Sequence, residues 1–370
     1  MRIVGVNHSG YNTRRNISDV PFKNYKVEKR LDFFKFPEHL YYRLTHKIHP
    51  LLFNLHQDFG LGRCDLWHFF NTVSLSHKPW ITTFETRSPR FTGKNQRMGM
   101  KLIAGKHCKK LIAMSESARQ IELQLLKESY PEYYDAISAK LIVQHPGQKI
   151  LVNDYASQKR NDLLSFVLVG HEFFLKGGNE LLAVFDRLYK EGKDFRFFLV
   201  SKMEYSVDAF ARSGYETAMG IIKKYPGKII HHTSLPNAQV LELLKTCHVA
   251  LLPSYRETYG YSVLEAQAAG CPVITTNGRA LGEINNNSVG WIINVPRDER
   301  TNQPYVKTQE EIATVSAILE KSLEEIIRGI IDNPASIALK GTAAIARIKQ
   351  EHDPDKTAVT LEAIYDKALS

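Results

Sequence analysis

HVALLPSYRETYGYSVLEAQAAGCPVITT, residues 248–276, decides how this chain folds. His248 to Pro253 is a short, mostly apolar run, long enough for a strand in a sheet covered on both faces and too short for a helix. Ser254 to Gly260 is polar and ends in glycine, so it reads as a loop at the carboxyl end of that strand, the edge where open α/β sheets place ligands. Ser262-Val-Leu-Glu265 has the spacing of a capping box and predicts the start of a helix, with Gly270 as its stop. Pro272 to Thr276 supplies the next β-rich run. The unit is β-loop-α-β.

The same order occurs earlier. Ser165 to Gly170 reads as a buried strand, followed by the loop His171-Glu-Phe-Phe-Leu-Lys176-Gly177-Gly178. Leu181, Leu182, Val184, Phe185 and Leu188 then give an apolar face of 3.6 period to a helix from Asn179, its expected cap, to Glu191, with Gly192 ending it. Phe195 to Ser201 is the parallel partner strand. A lysine flanked by glycines before a helix N-terminus suits a diphosphate, combining a point charge, open backbone and the helix dipole.

In the decisive stretch, Glu257 is an acid on a loop at a strand's carboxyl end. Gly260 follows it, where the missing side chain is expected to let a ligand approach the backbone. The amides at the start of the next helix suit an anion. Glu265 has a purely local alternative, a hydrogen bond back to its own helix N-terminus.

A chain of 370 residues fits two domains, and 43% hydrophobic residues is ordinary for a globular protein. No apolar run approaches the ~18 residues of a membrane span. The start, MRIVGVNHSG, reads as a first strand rather than a signal peptide. Cys64, Cys108, Cys247 and Cys271 lack metal-site or disulfide-framework spacing, which points to a reducing cytoplasm. Further strands are expected at Arg2–Val6, Leu66–Phe70, Pro79–Phe84, Lys110–Met114 and Lys140–Gln144. Ser115 or Ser117 is placed to cap a helix running to Ser129, Glu38 to Phe59 has helical periodicity broken or kinked by Pro50, and Gln350 to Ser370 reads as a final helix.

Charge is unevenly placed. Residues 1–150 hold 24 basic and 12 acidic side chains, against 25 and 27 in the remainder. Much of the surplus lies in Arg14 to Lys47, interleaved with Tyr25, Phe33, Phe34, Phe36, Tyr41 and Tyr42. That mixture suits an anionic membrane surface or a phosphate-bearing acceptor, or else a solvated basic face over aromatic core residues. No nucleic-acid motif accompanies it, so nucleic acid is not an expected partner.

The string LLPSYRETYGYSVLEAQAAGCPVITTNGRALGEI resembles the retaining glycosyltransferases of family 4, with the likeness strongest from Phe166 to Val295. It implies an α/β GT-B fold, two Rossmann-like domains with a cleft between them. The corresponding ranges are 1–152 on the acceptor side, 163–345 for the nucleotide sugar, and 346–370 returning to the first domain. The family's Glu-x7-Glu pair is matched by Glu257 and Glu265. By resemblance, Glu257 lies near the donor sugar and Glu265 binds the ribose. Lys176 matches a lysine that neutralises the diphosphate, but His171 stands where an arginine is usual. Histidine is only partly charged near neutrality, so donor binding is expected to be weaker or pH-dependent, with Arg256 a candidate for the missing charge. Tyr259 and Gly260 offer backbone to the sugar. Gly10 is the nearest counterpart of the glycine-rich loop after strand one. Glu85 stands in place of a histidine near the reacting sugar and could orient a sugar hydroxyl or take the acceptor's proton.

The resemblance thus implies a transferase of hexosyltransferase type, cytoplasmic and either free or peripheral at the inner face of the membrane, acting on a nucleotide diphosphate sugar and a carbohydrate or lipid-linked acceptor. Glycolipid or cell-surface polysaccharide synthesis is the usual setting, with no cofactor and no essential metal expected. A GT-B nucleotide-sugar epimerase and a non-catalytic nucleotide-sugar or membrane-binding protein are the alternatives.

Overall fold

The computed structural model describes residues 1–203 and 214–370. The chain divides into two compact units, Met1–Gly147 with His352–Ser370, and Gln148–Glu351. Among the described residues each unit carries a six-stranded parallel sheet. The first contains β1 (Arg2–Val6), β2 (Tyr25–Lys29), β3 (Leu66–Phe70), β4 (Trp80–Phe84), β5 (Cys108–Ala113) and β6 (Leu141–Val143), in the spatial order β2-β1-β3-β4-β5-β6. The second contains β7 (Ser165–Val169), β8 (Arg196–Val200), β9 (Ile229–His232), β10 (Val249–Leu252), β11 (Val273–Thr276) and β12 (Trp291–Ile293), in the order β9-β8-β7-β10-β11-β12. That is the doubly wound order, in which the direction of strand addition reverses between β7 and β10.

Helices α1 (Lys35–Thr45), α2 (Pro50–Asn54), α3 (Asn95–Ala104) and α4 (Glu116–Ser129) belong to the first unit. The second holds α5 (Gly178–Lys190), α6 (Tyr215–Lys224), α7 (Asn237–Thr246), α8 (Tyr261–Ala268), α9 (Leu281–Ile284), α10 (Gln309–Asp332) and α11 (Ala335–Glu351). The final helix, α12 (Pro354–Leu369), rejoins the first unit.

Strands β3 and β4 are buried at every position, as a sheet covered on both faces requires. Trp67, Phe69, Trp80 and Phe84 pack on one side, while Leu66, Ile81 and Ile112 meet Leu361 and Tyr365 of α12 on the other. His68 shares that second side. Its ring nitrogens bond the Tyr365 hydroxyl at 2.7 Å and the Thr83 hydroxyl at 2.8 Å, and burial lowers its pKa to about 3, so it is a neutral, satisfied core group. In the second unit α5 covers the sheet with its predicted apolar face, and Val315, Leu319, Leu323 and Ile327 of α10 join the same core.

Two sequence expectations change. Pro50 does not break a long helix; α1 already ends at Thr45, where His46 adopts a left-handed φ of 53°, and Pro50 begins α2 at a position that needs no amide donor. The stretch Lys149 to Asn161, whose polar composition alone suggests a linker between domains, is bonded into the second unit. Arg160 donates to the carbonyls of Ala269 at 3.1 Å, Gly270 at 2.8 Å and Cys247, serving the C-terminal ends of α8 and α7. No helix among the described residues is long and apolar enough to cross a membrane.

Glu122 on α4 is fully buried, accepts the Ser88 N–H at 2.9 Å, and is pushed up to about 8 by that burial. A carboxyl raised above its unfolded value contributes stability that is complete below the unfolded pKa and is lost as pH rises through the folded one. Glu122→Gln is therefore expected to flatten the loss of stability between about pH 5 and about pH 9, and to be the more stable protein at the upper end by about 1–3 kcal/mol. Urea titrations at both pH values measure this; an unchanged pH slope in the variant would refute it.

Candidate functional site

The loops that follow β7 and β10 lie at the carboxyl edge of the second sheet, on either side of its reversal point. They are joined to each other. The Tyr255 amide donates to the Leu175 carbonyl at 3.0 Å, and the Ser254 hydroxyl, which donates to the Arg256 carbonyl at 2.6 Å, lies 3.2 Å from the same Leu175 oxygen. Gly177 has φ of 72°, and a Cβ there would stand 2.4 Å from the Pro253 carbonyl oxygen, so the approach of the two loops requires glycine. Behind them the Tyr255 hydroxyl donates to Glu180 Oε1 at 2.5 Å, and the Ser316 hydroxyl donates to the same oxygen at 2.7 Å. Burial raises the pKa of both Tyr255 and Glu180.

Across this junction Lys176 Nζ meets Glu257 Oε2 at 2.7 Å, with the two side chains 16% and 15% exposed. The Lys176 methylenes pass over Gly170, where a Cβ would sit 2.4 Å from Cδ. Glu257 Oε1 also accepts the Thr258 amide at 3.0 Å. Two residues from separate motifs therefore form one ion pair at the edge of the sheet.

Glu265 lies on α8. The N-cap of α8 is Gly260, at φ 101°, with no side-chain cap bond, so Ser262 and Glu265 fall inside the helix and the predicted capping box does not form. Glu265 is instead buried in the wall of a cavity of about 220 Å³ that His171, Ser201, Ser234 and Asn237 also line. The His171 carbonyl accepts the Ser201 hydroxyl at 3.1 Å, and His231 Nε2 donates to the Ser201 carbonyl at 2.8 Å. Ser201, Ser234 and Asn237 escaped sequence reasoning. Their only signal is that they follow the carboxyl ends of β8 and β9.

Gly260 has a positive φ and packs against α9, where a Cβ would stand 2.8 Å from Leu281 Cδ2. The Tyr259 side chain is buried, leaving only its backbone for contact. Gly177, not Asn179, caps α5, and Gly178 makes room for the Phe173 ring. Arg256 donates from Nη2 to the Val306 carbonyl at 3.1 Å, which ties its guanidinium to the segment beyond β12.

Gly10 and Glu85 belong to the first unit. Gly10 follows β1 with φ of −64°, a conformation open to any residue, and its amide donates to His8 Nδ1 at 3.3 Å. Glu85 follows β4, where Oε1 accepts from Arg90 Nη2 at 3.0 Å and from Asn71 Nδ2 at 3.3 Å.

Residues 150–303 match the family described as "Glycosyl transferases group 1". A glycogen synthase of Mycobacterium tuberculosis is 29% identical over 131 residues, which are 35% of this chain and 27% of that protein; the chain thus spans about a quarter of this relative's length. A glycosyltransferase from Rickettsia africae ESF-5 superposes with a TM-score of 0.61 at 15% identity, covering 99% of this chain and 90% of that one. Anabaena Alr3699/HepE, solved in complex with UDP-glucose, superposes at 0.59 with 13% identity over 99% of both chains. At these identities the likeness establishes the fold, which is GT-B.

The two glycines make opposite predictions. Gly177→Ala forces a side chain into the Pro253 carbonyl and is expected to cost roughly 2–4 kcal/mol, whereas Gly10→Ala is expected to stay within about 0.5 kcal/mol of the parent. Equal stabilities in chemical denaturation would show that the loop junction is not constrained as described.

Proposed function

We propose that this protein is a retaining glycosyltransferase of hexosyltransferase type, moving a sugar from a nucleotide diphosphate sugar to an acceptor hydroxyl in the synthesis of a glycolipid or a cell-surface polysaccharide. The observation that carries the reading is the Lys176–Glu257 pair at the reversal point of the second sheet, with Glu265 in the wall of the adjoining cavity.

In this reading the cavity takes the nucleoside, with Glu265 accepting hydrogen bonds from the ribose hydroxyls. Lys176 and the first-turn amides of α8 meet the diphosphate and stabilise the charge that grows on it as the bond to the sugar breaks. Glu257 lies beside the sugar. The acceptor oxygen bonds to the anomeric carbon on the face from which the diphosphate departs, and the acceptor's proton passes to the departing diphosphate oxygen. Configuration is retained without a covalent enzyme intermediate, and no step is assigned to a metal. Glu85 orients the acceptor hydroxyl. Its engagement with Arg90 and Asn71 favours that positioning task over proton abstraction.

Thermal shift against UDP, GDP, ADP and their sugar conjugates is the direct test. One nucleotide is expected to stabilise the parent selectively, by about 2.7 kcal/mol at a hundredfold excess over Kd, and to lose this effect in Lys176→Ala and Glu265→Ala. No stabilisation by any nucleotide at millimolar concentration would overturn the proposal.

Glu257→Gln separates binding from chemistry. Removing the carboxylate that engages Lys176 is expected to tighten nucleoside diphosphate binding about threefold to tenfold while lowering the transfer rate about a hundredfold. Calorimetry and product analysis read the two effects independently, and parallel losses in both would remove Glu257 from the reacting end of the site.

A further inference from the structure

Helix α1 contributes no buried residue, although it is ordered along 11 positions. A helix of that length is marginal in water unless a face of it is packed. Its apolar face is formed but open: Phe36, Leu40 and Leu44, spaced by four residues, are 64%, 59% and 75% exposed. Exposed hydrophobics concentrate here. Nine of the fifteen large ones among the described residues fall between Leu31 and Leu61, including Ile48, Phe59 and Leu61 in the turns that flank α1 and α2. Clustering on this scale marks an interaction surface.

The charges around the patch identify its partner. Arg43 lies seven residues from Phe36, on the same face, and Lys47 follows just beyond the helix end; both are exposed. Lys35 holds the patch together, donating to the Phe53 carbonyl at 3.0 Å and sitting 4.7 Å from the centre of the Phe53 ring. Asp32 and Asp58, by contrast, are turned inward. Asp32 accepts the amides of Phe34 at 3.1 Å and Gln57 at 3.2 Å, and Asp58 accepts that of Gly60 at 3.2 Å. Glu38, two residues from both Phe36 and Leu40, falls on the opposite side of α1. The face that carries Phe36, Leu40 and Leu44 is therefore apolar and cationic, in an N-terminal part of the chain with twice as many basic as acidic residues. A second copy of this chain would bring the same positive surplus against it.

We propose that the α1–α2 face docks on a bilayer containing anionic phospholipid, with Phe36, Leu40 and Leu44 entering the acyl boundary and Arg43 and Lys47 meeting headgroup phosphates. Proximity to a bilayer suits an acceptor carried on a lipid, but the docking stands on this face alone and is tested without any sugar chemistry.

The test is co-sedimentation of the full chain with phosphatidylcholine vesicles, with and without phosphatidylglycerol. Binding is expected on the anionic vesicles and is expected to fall at least about tenfold on neutral ones. A similar loss is expected in Phe36→Ser/Leu40→Ser/Leu44→Ser and in Arg43→Glu/Lys47→Glu, with melting temperatures unchanged because no α1 residue is buried. Phe36→Trp provides a second reading within a folded chain, a blue shift of its emission on anionic vesicles only. Equal binding to neutral vesicles, undiminished binding by the triple variant, or an unshifted tryptophan would overturn the proposal. So would a vesicle-independent dimer that the triple variant disperses, which would assign the face to a second copy.

Discussion

The second unit depends on how closely the loops after β7 and β10 approach each other. Leu175 accepts the amide of Tyr255, and Gly177 lies against the Pro253 carbonyl with no room for a side chain. These contacts fix the two edges of the crevice before any ligand arrives. Glu180 then anchors Tyr255 from beneath, so the loop carrying Glu257 is braced by α5 and α10 as well as by its own strand. The Lys176–Glu257 pair is a consequence of that bracing. Two long side chains with separate loop origins meet at hydrogen-bond distance because their backbones are already zipped together.

Polar groups inside the sheets follow a related rule. His68 and Thr83 would be costly in an apolar core, yet each ring nitrogen of His68 has a hydroxyl partner, one of them supplied by Tyr365 from the far end of the chain. In the second unit Asn285 performs the same service, donating to the Val273 carbonyl at 3.0 Å and the Thr275 hydroxyl at 2.9 Å while accepting from Gln267 at 3.2 Å.

How much of this could be read in advance differs by element. Strands such as Leu66–Phe70 and Ser165–Val169 are short, mostly apolar runs, and local composition is sufficient for them. β2, Tyr-Lys-Val-Glu-Lys, lacks such a signal because it is an edge strand with charges facing outward, where Lys26 pairs with Glu28 at 2.8 Å. Helix starts depart from their cap-like residues for a different reason. Asn179 and Ser262 have cap chemistry, but each stands within two residues of a glycine that adopts the left-handed conformation and takes over the boundary. At the site, Lys176, Glu257 and Glu265 each stood out in a local motif, but their spatial grouping did not. The cavity wall around Glu265 is closed by Ser201, Ser234 and Asn237, and the direction of Arg256 is set by Val306, fifty positions away. Pairings over such separations leave no local trace.

The return of α12 sets an order of assembly. Its Leu361 and Tyr365 complete one face of the first sheet, and Asp366 receives the Tyr25 hydroxyl at 2.6 Å and Arg2 at 3.2 Å. On a ribosome, the whole contiguous span Gln148–Glu351 emerges before that helix exists. The first sheet must wait, with Val4, Leu66, Ile81 and Ile112 open on one side, while the later-made unit can already close around its own core. The half of the chain made first is therefore the half that matures last, and a nascent chain halted before residue 354 presents an apolar sheet face for chaperones or misfolding to claim.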